Sequence, residues 1–223
     1  MKNKLMYRSK ITKEEVNELP VDEFAGNIIV IDDMQKAEEA FKYLNTQKVI
    51  GMDTETKPSF KRGVVHKVSL LQIATRDVCY LFRLNKIGFP NKLVSVLSND
   101  KITKVGLALR DDLNGLFKQH KFSPESFVDL QHEVENYGIL ELSLQKIYAI
   151  TFGKKISKSQ RLTNWENETL TAQQQIYAAT DAWATLQIFL RLQQESRLTK
   201  NEIEQIKVES LVIDSLILNS NKR

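Results

Sequence analysis

The chain has 223 residues, 42% hydrophobic and 27% charged, with 32 Lys and Arg against 28 Asp and Glu for a net charge of +4. This is ordinary globular usage, and it excludes disordered, collagen-like and membrane-spanning classes. The lone cysteine, Cys79, excludes an internal disulfide and a cysteine-built zinc site, and it fits a reducing compartment.

In chain order, residues 1–26 are polar and mixed, with Pro20 and Gly26 as breakers, and read as an N-terminal extension holding one short helix. Its first residues carry charge but lack the apolar run of a secretory leader. Asn27–Ile31 reads as a strand, and Asp32 with Gln35 three residues on reads as a helix start. Segments 49–55, 64–75 and 78–82 are rich in β-branched and aromatic residues and predict three successive strands, a meander. A helix over 91–97, a strand over 102–107, a helix over 111–119 and a short strand over 127–129 follow. Strands alternating with helices predict an α/β domain on a mixed sheet.

From Ser143 onward the pattern is helical. Thr171 and Gln174 form a capping box ahead of a long helix over 172–194, and Thr199 with Glu202 opens a last helix ending near Leu218. The apolar residues of that last helix, Ile203, Ile206, Leu211, Ile213, Leu216 and Ile217, predict docking onto its own domain, or else a subunit contact. Its greasiest stretch, 211–218, is broken by Asp214 and falls short of the ~20 residues a bilayer requires. A cytoplasmic protein without membrane association is expected. The chain divides into an extension (1–26), a central domain (27–195) and a C-terminal helical extension (196–223).

Charge is unevenly spread. Residues 56–76 hold Lys57, Lys61, Arg62, Lys67 and Arg76 and no acid, and 142–165 hold Lys146, Lys154, Lys155, Lys158 and Arg161 and no acid. These are either solvated loops or faces for an anionic partner, since cations facing phosphates gain affinity by releasing counterions.

Three groups of carboxylates stand out. Asp53 and Glu55 lie two apart at a strand end, on one face of the sheet, forming either a two-carboxylate claw or a plain strand-end turn. Asp111 and Asp112 sit at a strand-to-helix junction, where open α/β sheets gather ligands and where an Asp also serves as an N-cap. Tyr177 and Asp181 are one helical turn apart with small Ala178 and Ala179 between them. They read either as part of a buried site or as a core tyrosine beside a surface aspartate. His66, His120 and His132 show no ligand spacing, so any metal site is all-oxygen and selects hard cations such as Mg²⁺ or Mn²⁺.

Asp53-Thr54-Glu55, then residues 105–113, then 177–181, in that order, resemble the three exonuclease motifs of the DEDDy family. These are the 3′-5′ exonucleases related to ribonuclease D, the Werner-syndrome exonuclease domain and the proofreading domains of DNA polymerases. The resemblance runs from about residue 27 to 192 and takes in 127–130 and 158–165, the latter similar to the Werner-type branch. A sibling group carries His five positions before the final Asp. That position here is Ile176, so the tyrosine variant fits.

The resemblance implies a ribonuclease H-like mixed sheet flanked by helices, with helical extensions at both ends. It implies two divalent cations, Mg²⁺ or Mn²⁺, and hydrolysis from a 3′ end to release nucleoside 5′-monophosphates. Asp53 would bridge the ions, Glu55 and Asp181 would complete the ion holding the attacking water, and Asp112 would serve the second. Tyr177 would orient the water. Asp112 is preferred to Asp111 by its spacing from Val105 and Gly106.

Thr54, Lys158, Arg161 and Trp165 would lie near the substrate, with Trp165 either stacking on a base or packing in the core. The implied partner is a single-stranded 3′ end. DNA is slightly favoured over RNA, because a chain ending near Arg223 leaves little room for the extra helical domain of ribonuclease D. The motifs carry no oligomeric state. A nuclease-like binding module without catalysis is the alternative, and the complete acidic set argues for the enzyme.

Overall fold

The computed structural model describes residues 6–59, 61, 63 and 66–220, of which 216–220 are described in backbone only. Strands Asn27–Ile31 (β1), Val49–Thr56 (β2), Val68–Ala74 (β3), Val78–Phe82 (β4), Thr103–Gly106 (β5) and Phe127–Asp129 (β6) form one sheet in the order β1-β4-β3-β2-β5-β6. The expected meander is β2-β3-β4, antiparallel throughout. The other strands add in parallel: β1 on β4, β5 on β2 and β6 on β5. The third strand was expected from residue 64; β3 begins at Val68, and Val64 and Val65 lie outside the described residues.

Every residue of β3 is buried, because helices cover both faces of the sheet. On one face, helices Met34–Leu44 (α2), Leu84–Ile87 (α3), Asn91–Leu97 (α4) and Leu109–Gln119 (α5) enclose Phe41, Leu44, Ile50, Met52, Leu71, Phe82, Leu93 and Leu116, and the short helix Leu130–Glu133 (α6) follows β6. On the other, helix Ala172–Leu192 (α8) lays Ala178, Ala179 and Ala182 against Leu70, Ala74, Cys79 and Leu81. The α8 start is fixed by the expected capping box: Gln174 N–H donates to Thr171 Oγ1 at 3.2 Å, and Thr171 N–H donates to Gln174 Oε1 at 3.1 Å. The approach of α8 is so close that a Cβ on Gly51 of β2 would lie 2.0 Å from the Ala182 carbonyl oxygen. Only glycine fits there.

Two helix starts differ from expectation. Helix α2 is capped by Asp33, whose carboxylate accepts from Lys36 N–H at 2.9 Å, while Asp32 pairs with the Lys36 ammonium at 2.7 Å. Helix α5 begins at Leu109, so neither Asp111 nor Asp112 is its cap. Ala108 turns into it with φ 56°, and the Asp129 carboxylate at the end of β6 accepts from both Ala108 N–H and Leu109 N–H at 2.9 Å. A carboxylate from the neighbouring strand thus holds this left-handed turn, and Asp112 takes no part in capping the helix.

The N-terminal segment forms part of the packed body. Helix Lys13–Glu18 (α1) opens on a capping box between Thr12 and Glu15, and Ile11 and Val16 pack on Ala149 of helix Leu144–Phe152 (α7). Phe24 is buried beside Trp165 and α8. At the other end, helix Lys200–Ser220 (α9) buries Ile206 and Ser210 and is tied by Lys207–Glu135 at 2.7 Å and Lys10–Asp214 at 2.6 Å. Of its apolar residues, Val208, Leu211, Val212 and Ile213 stay exposed. The side chains of Leu216 and Ile217 lie outside the described residues. Among the described residues no helix is long and apolar enough to cross a membrane.

Candidate active site

Strand β2 projects Asp53 and Glu55 toward α8, and α8 projects Tyr177 and Asp181 back. One carboxylate oxygen from each of Asp53, Glu55 and Asp181 lies within 4.8 Å of the others. Asp112 enters from α5, where it accepts a hydrogen bond from the Thr54 hydroxyl. Three of the four expected acidic residues thus form one group, and Asp112 lies outside it but near enough to act on Asp53 and Glu55. Asp111, next to Asp112, is exposed.

Crowding like charges away from water raises the cost of ionisation, and the carboxyls respond as a group. Burial holds Asp53 well above the usual carboxylate range, reinforced by Asp112, Asp181 and Glu55. Glu55 is pushed up to about 9 by burial and then by Asp181 and Asp112, with Arg161 pulling the other way. Asp181 rises to about 7 through burial, against the lowering pull of Tyr177 and Lys158. Asp112 rises to about 6 through burial, against its hydrogen bond from Thr54. Burial and the facing charges of Asp181 and Glu55 drive the Tyr177 phenol upward, so it remains protonated.

Such a cluster calls for compensating positive charge. The donors are all carboxylate oxygens, with no imidazole or thiolate among them, which fits hard divalent ions and disfavours zinc. Gln72 adds an independent sign. It is wholly buried, sits directly opposite Asp53 in the β2-β3 register, and has neither amide oxygen nor amide nitrogen partnered. Unpartnered buried amides are rare, and an ion or water near Asp53 would supply the missing partner.

Lys158 and Arg161 stand at the edge of the site, near enough to act on Asp181 and Glu55 respectively. Trp165 does not stand there. It is 0% exposed and packs 6.0 Å from the Tyr177 ring, so of its two readings burial favours packing and leaves no face for a base. The Thr54 hydroxyl is engaged by the Asp112 carboxylate. Gln72 and Asp129 were not singled out as site residues by the motif reading. Their signals were a polar residue inside the apolar run 70–74 and an acid at a strand end.

A ribonuclease H-like sheet bearing this acidic cluster and a buried tyrosine defines a nuclease-type protein. The sequence model of the 3′-5′ exonuclease domain matches residues 28–197, and the chain belongs to that family. It is 34% identical over 185 residues to the bifunctional 3′-5′ exonuclease/ATP-dependent helicase WRN of Mus musculus, an alignment covering 78% of this chain and 13% of that protein. It is 27% identical over 198 residues to a 3′-5′ exonuclease of Arabidopsis thaliana, covering 82% of this chain and 69% of the other. The Aedes aegypti Nibbler EXO domain superposes with a TM-score of 0.70 at 22% identity, covering 83% of this chain and 99% of that one. Escherichia coli RNase D superposes with a TM-score of 0.69 at 23% identity, covering 75% and 44%. These two likenesses establish the fold.

Proposed function

We propose that this chain is a metal-dependent 3′-5′ exonuclease that removes nucleoside 5′-monophosphates from single-stranded ends. The observation carrying this reading is the convergence of Asp53, Glu55 and Asp181 within 4.8 Å of one another beside a protonated tyrosine. Asp53, Glu55, Asp112 and Asp181 hold two divalent cations, Mg²⁺ or Mn²⁺. Bound there, such ions neutralise charge developing on a phosphodiester and make water a better nucleophile at neutral pH.

The remaining steps belong to the chain's own groups. Tyr177 keeps its proton and orients the attacking water by hydrogen bonding, one turn of α8 from Asp181. Thr54 holds the Asp112 carboxylate in place rather than touching substrate. Lys158 and Arg161 face the substrate phosphate, Arg161 with a planar fork suited to bidentate contact. Trp165 supports Tyr177 from below. Between the two nucleic acids the reading slightly favours DNA.

Purified protein incubated with 5′-labelled oligonucleotide and Mn²⁺ or Mg²⁺ is expected to give a ladder shortened from the 3′ end, abolished by EDTA and by Asp53→Ala. Intact oligonucleotide with the wild-type chain overturns the activity, and leaves the alternative of a binding module. Calorimetric titration with Mn²⁺ is expected to show two ions per chain; one ion overturns the two-cation reading. Matched DNA and RNA oligonucleotides compare the substrates, and faster RNA hydrolysis reverses the preference.

A further inference from the structure

A cavity of about 480 Å³ shares Lys158 and Arg161 with the edge of the acidic site, and its wall also includes Lys13, Ser143, Gln145 and Lys146. We propose that this cavity holds backbone phosphates of the substrate strand upstream of the scissile end, with Lys13 of α1 and Lys146 of α7 as their cationic contacts. The proposal rests on the exonuclease reading for its direction along the strand, and on the cavity itself for its chemistry.

The charges around the cavity are unbalanced. Lys146 pairs with Glu141 at 2.9 Å, but among the described residues no carboxylate lies within ion-pair distance of Lys13, Lys158 or Arg161. Lys158 registers the crowding. Its ammonium is pushed down by burial first and then by Arg161, Lys146 and Lys13, with Asp181 alone opposing. Four cations around one open space, of which among the described residues only Lys146 has a carboxylate partner, form a receptor for phosphate.

The wall is also built rather than accidental. Glu141, nine-tenths buried, accepts from Ile11 N–H at 3.0 Å as well as from Lys146, so one carboxylate clamps the start of α1 to α7. Val16 packs beneath, and Asp22 N–H donates to the Lys155 carbonyl at 2.8 Å. The N-terminal segment is thereby fixed as one side of a trough whose inner end is Lys158 and Arg161, the residues that act on Asp181 and Glu55. A strand with its terminal phosphodiester at the carboxylates continues past those two cations toward Lys13 and Lys146. Backbone phosphates are common to DNA and RNA, so the trough takes either.

The test is fluorescence anisotropy in EDTA, where no cleavage occurs, with labelled thymidine and uridine oligonucleotides of twelve and three nucleotides. Lys13 is exposed, so Lys13→Glu leaves the fold intact. Lys42→Glu, on exposed α2 across the sheet, matches the charge change elsewhere. Lys13→Glu is expected to weaken twelve-nucleotide binding at least about fivefold and to flatten its salt dependence by about one phosphate contact, with Lys42→Glu doing neither. The weakening is expected to be smaller with three nucleotides. Equal losses from both variants, or an unchanged Kd and salt slope for Lys13→Glu, overturn the site. An equal loss at both lengths overturns its upstream placement. A chain that binds twelve nucleotides through Lys13 yet never hydrolyses them with Mn²⁺ refutes the exonuclease reading while the phosphate site stands. A preference of Lys13-dependent binding for only one of the two sugars overturns the backbone as the group recognised.

Discussion

The Thr54 hydroxyl on β2 donates a hydrogen bond to the Asp112 carboxylate on α5, tying the second motif to the first. That bond distinguishes two adjacent aspartates that spacing alone barely separates. Asp112 is turned inward, within electrostatic reach of Asp53 and Glu55, and Asp111 is turned to solvent. Asp112→Asn is expected to lower kcat/KM by on the order of 100-fold or more, and Asp111→Asn by less than about threefold. Thr54→Val, which keeps the shape and removes the donor, is expected to cost about tenfold, as losses of groups that orient a metal ligand do. Initial rates on a 5′-labelled oligonucleotide check all three, with circular dichroism as the control for folding.

Burial of the carboxylates makes the metal-free protein sensitive to pH in a definite direction. In the folded chain burial pushes Asp112, Asp181 and Glu55 up to about 6, 7 and 9, above the ordinary carboxylate values of the unfolded chain. Over that interval the folded state binds more protons, so unfolding becomes easier as pH rises. Cations require the deprotonated groups, and their binding releases protons and strengthens over the same range. Melting temperature in EDTA is expected to fall between pH 5 and 8, while the upward shift produced by Mn²⁺ grows. A melting temperature in EDTA that climbs with pH contradicts the shifts.

For Tyr177 the ring and the hydroxyl have separable tasks. The ring is buried and packs on Trp165, while the hydroxyl faces Asp181 and Glu55. Tyr177→Phe keeps the packing, so its melting temperature and Mn²⁺ affinity are expected to stay near wild type while kcat drops by on the order of 100-fold. Single-turnover rates measure the loss, and wild-type turnover removes the hydroxyl from the chemistry.

Much of this was legible in the sequence for physical reasons. The capping box at Thr171 and Gln174 and the small residues 178 and 179 announce a helix open to close approach, and the period of two in β2 places Asp53 and Glu55 on one face. What escaped were relations between distant segments. That Asp129 holds the Ala108 turn, and so relieves Asp112 of capping, depends on β6 lying beside β5. That β1 joins β4 in parallel, and that Gln72 faces Asp53, are matters of register. Trp165 was ambiguous because an aromatic in a basic segment reads the same whether it stacks or packs, until burial decides.

The contact between Gly51 and α8 links the fold to the site most directly. A methyl group at position 51 would meet the Ala182 carbonyl at 2.0 Å and the Leu186 Cβ at 2.9 Å. The first of these is backbone, so no side-chain rotation relieves it, and α8 must shift outward, carrying Tyr177 and Asp181 with it. Gly51→Ala is expected to destabilise the chain by about 1–3 kcal/mol, the usual range for overpacking, or more because backbone is struck. Mn²⁺ affinity is expected to fall with it even at temperatures where the variant stays folded, since Asp181 leaves the 4.8 Å cluster with Asp53 and Glu55. Adding Thr185→Ala removes the hydroxyl oxygen that the new methyl would also meet at 2.9 Å, but not the carbonyl, so the double variant is expected to recover neither affinity nor activity. Denaturant unfolding and Mn²⁺ calorimetry on both variants check this, and rescue by the second substitution would mean that the Thr185 side chain, not the helix backbone, sets the distance between α8 and the sheet.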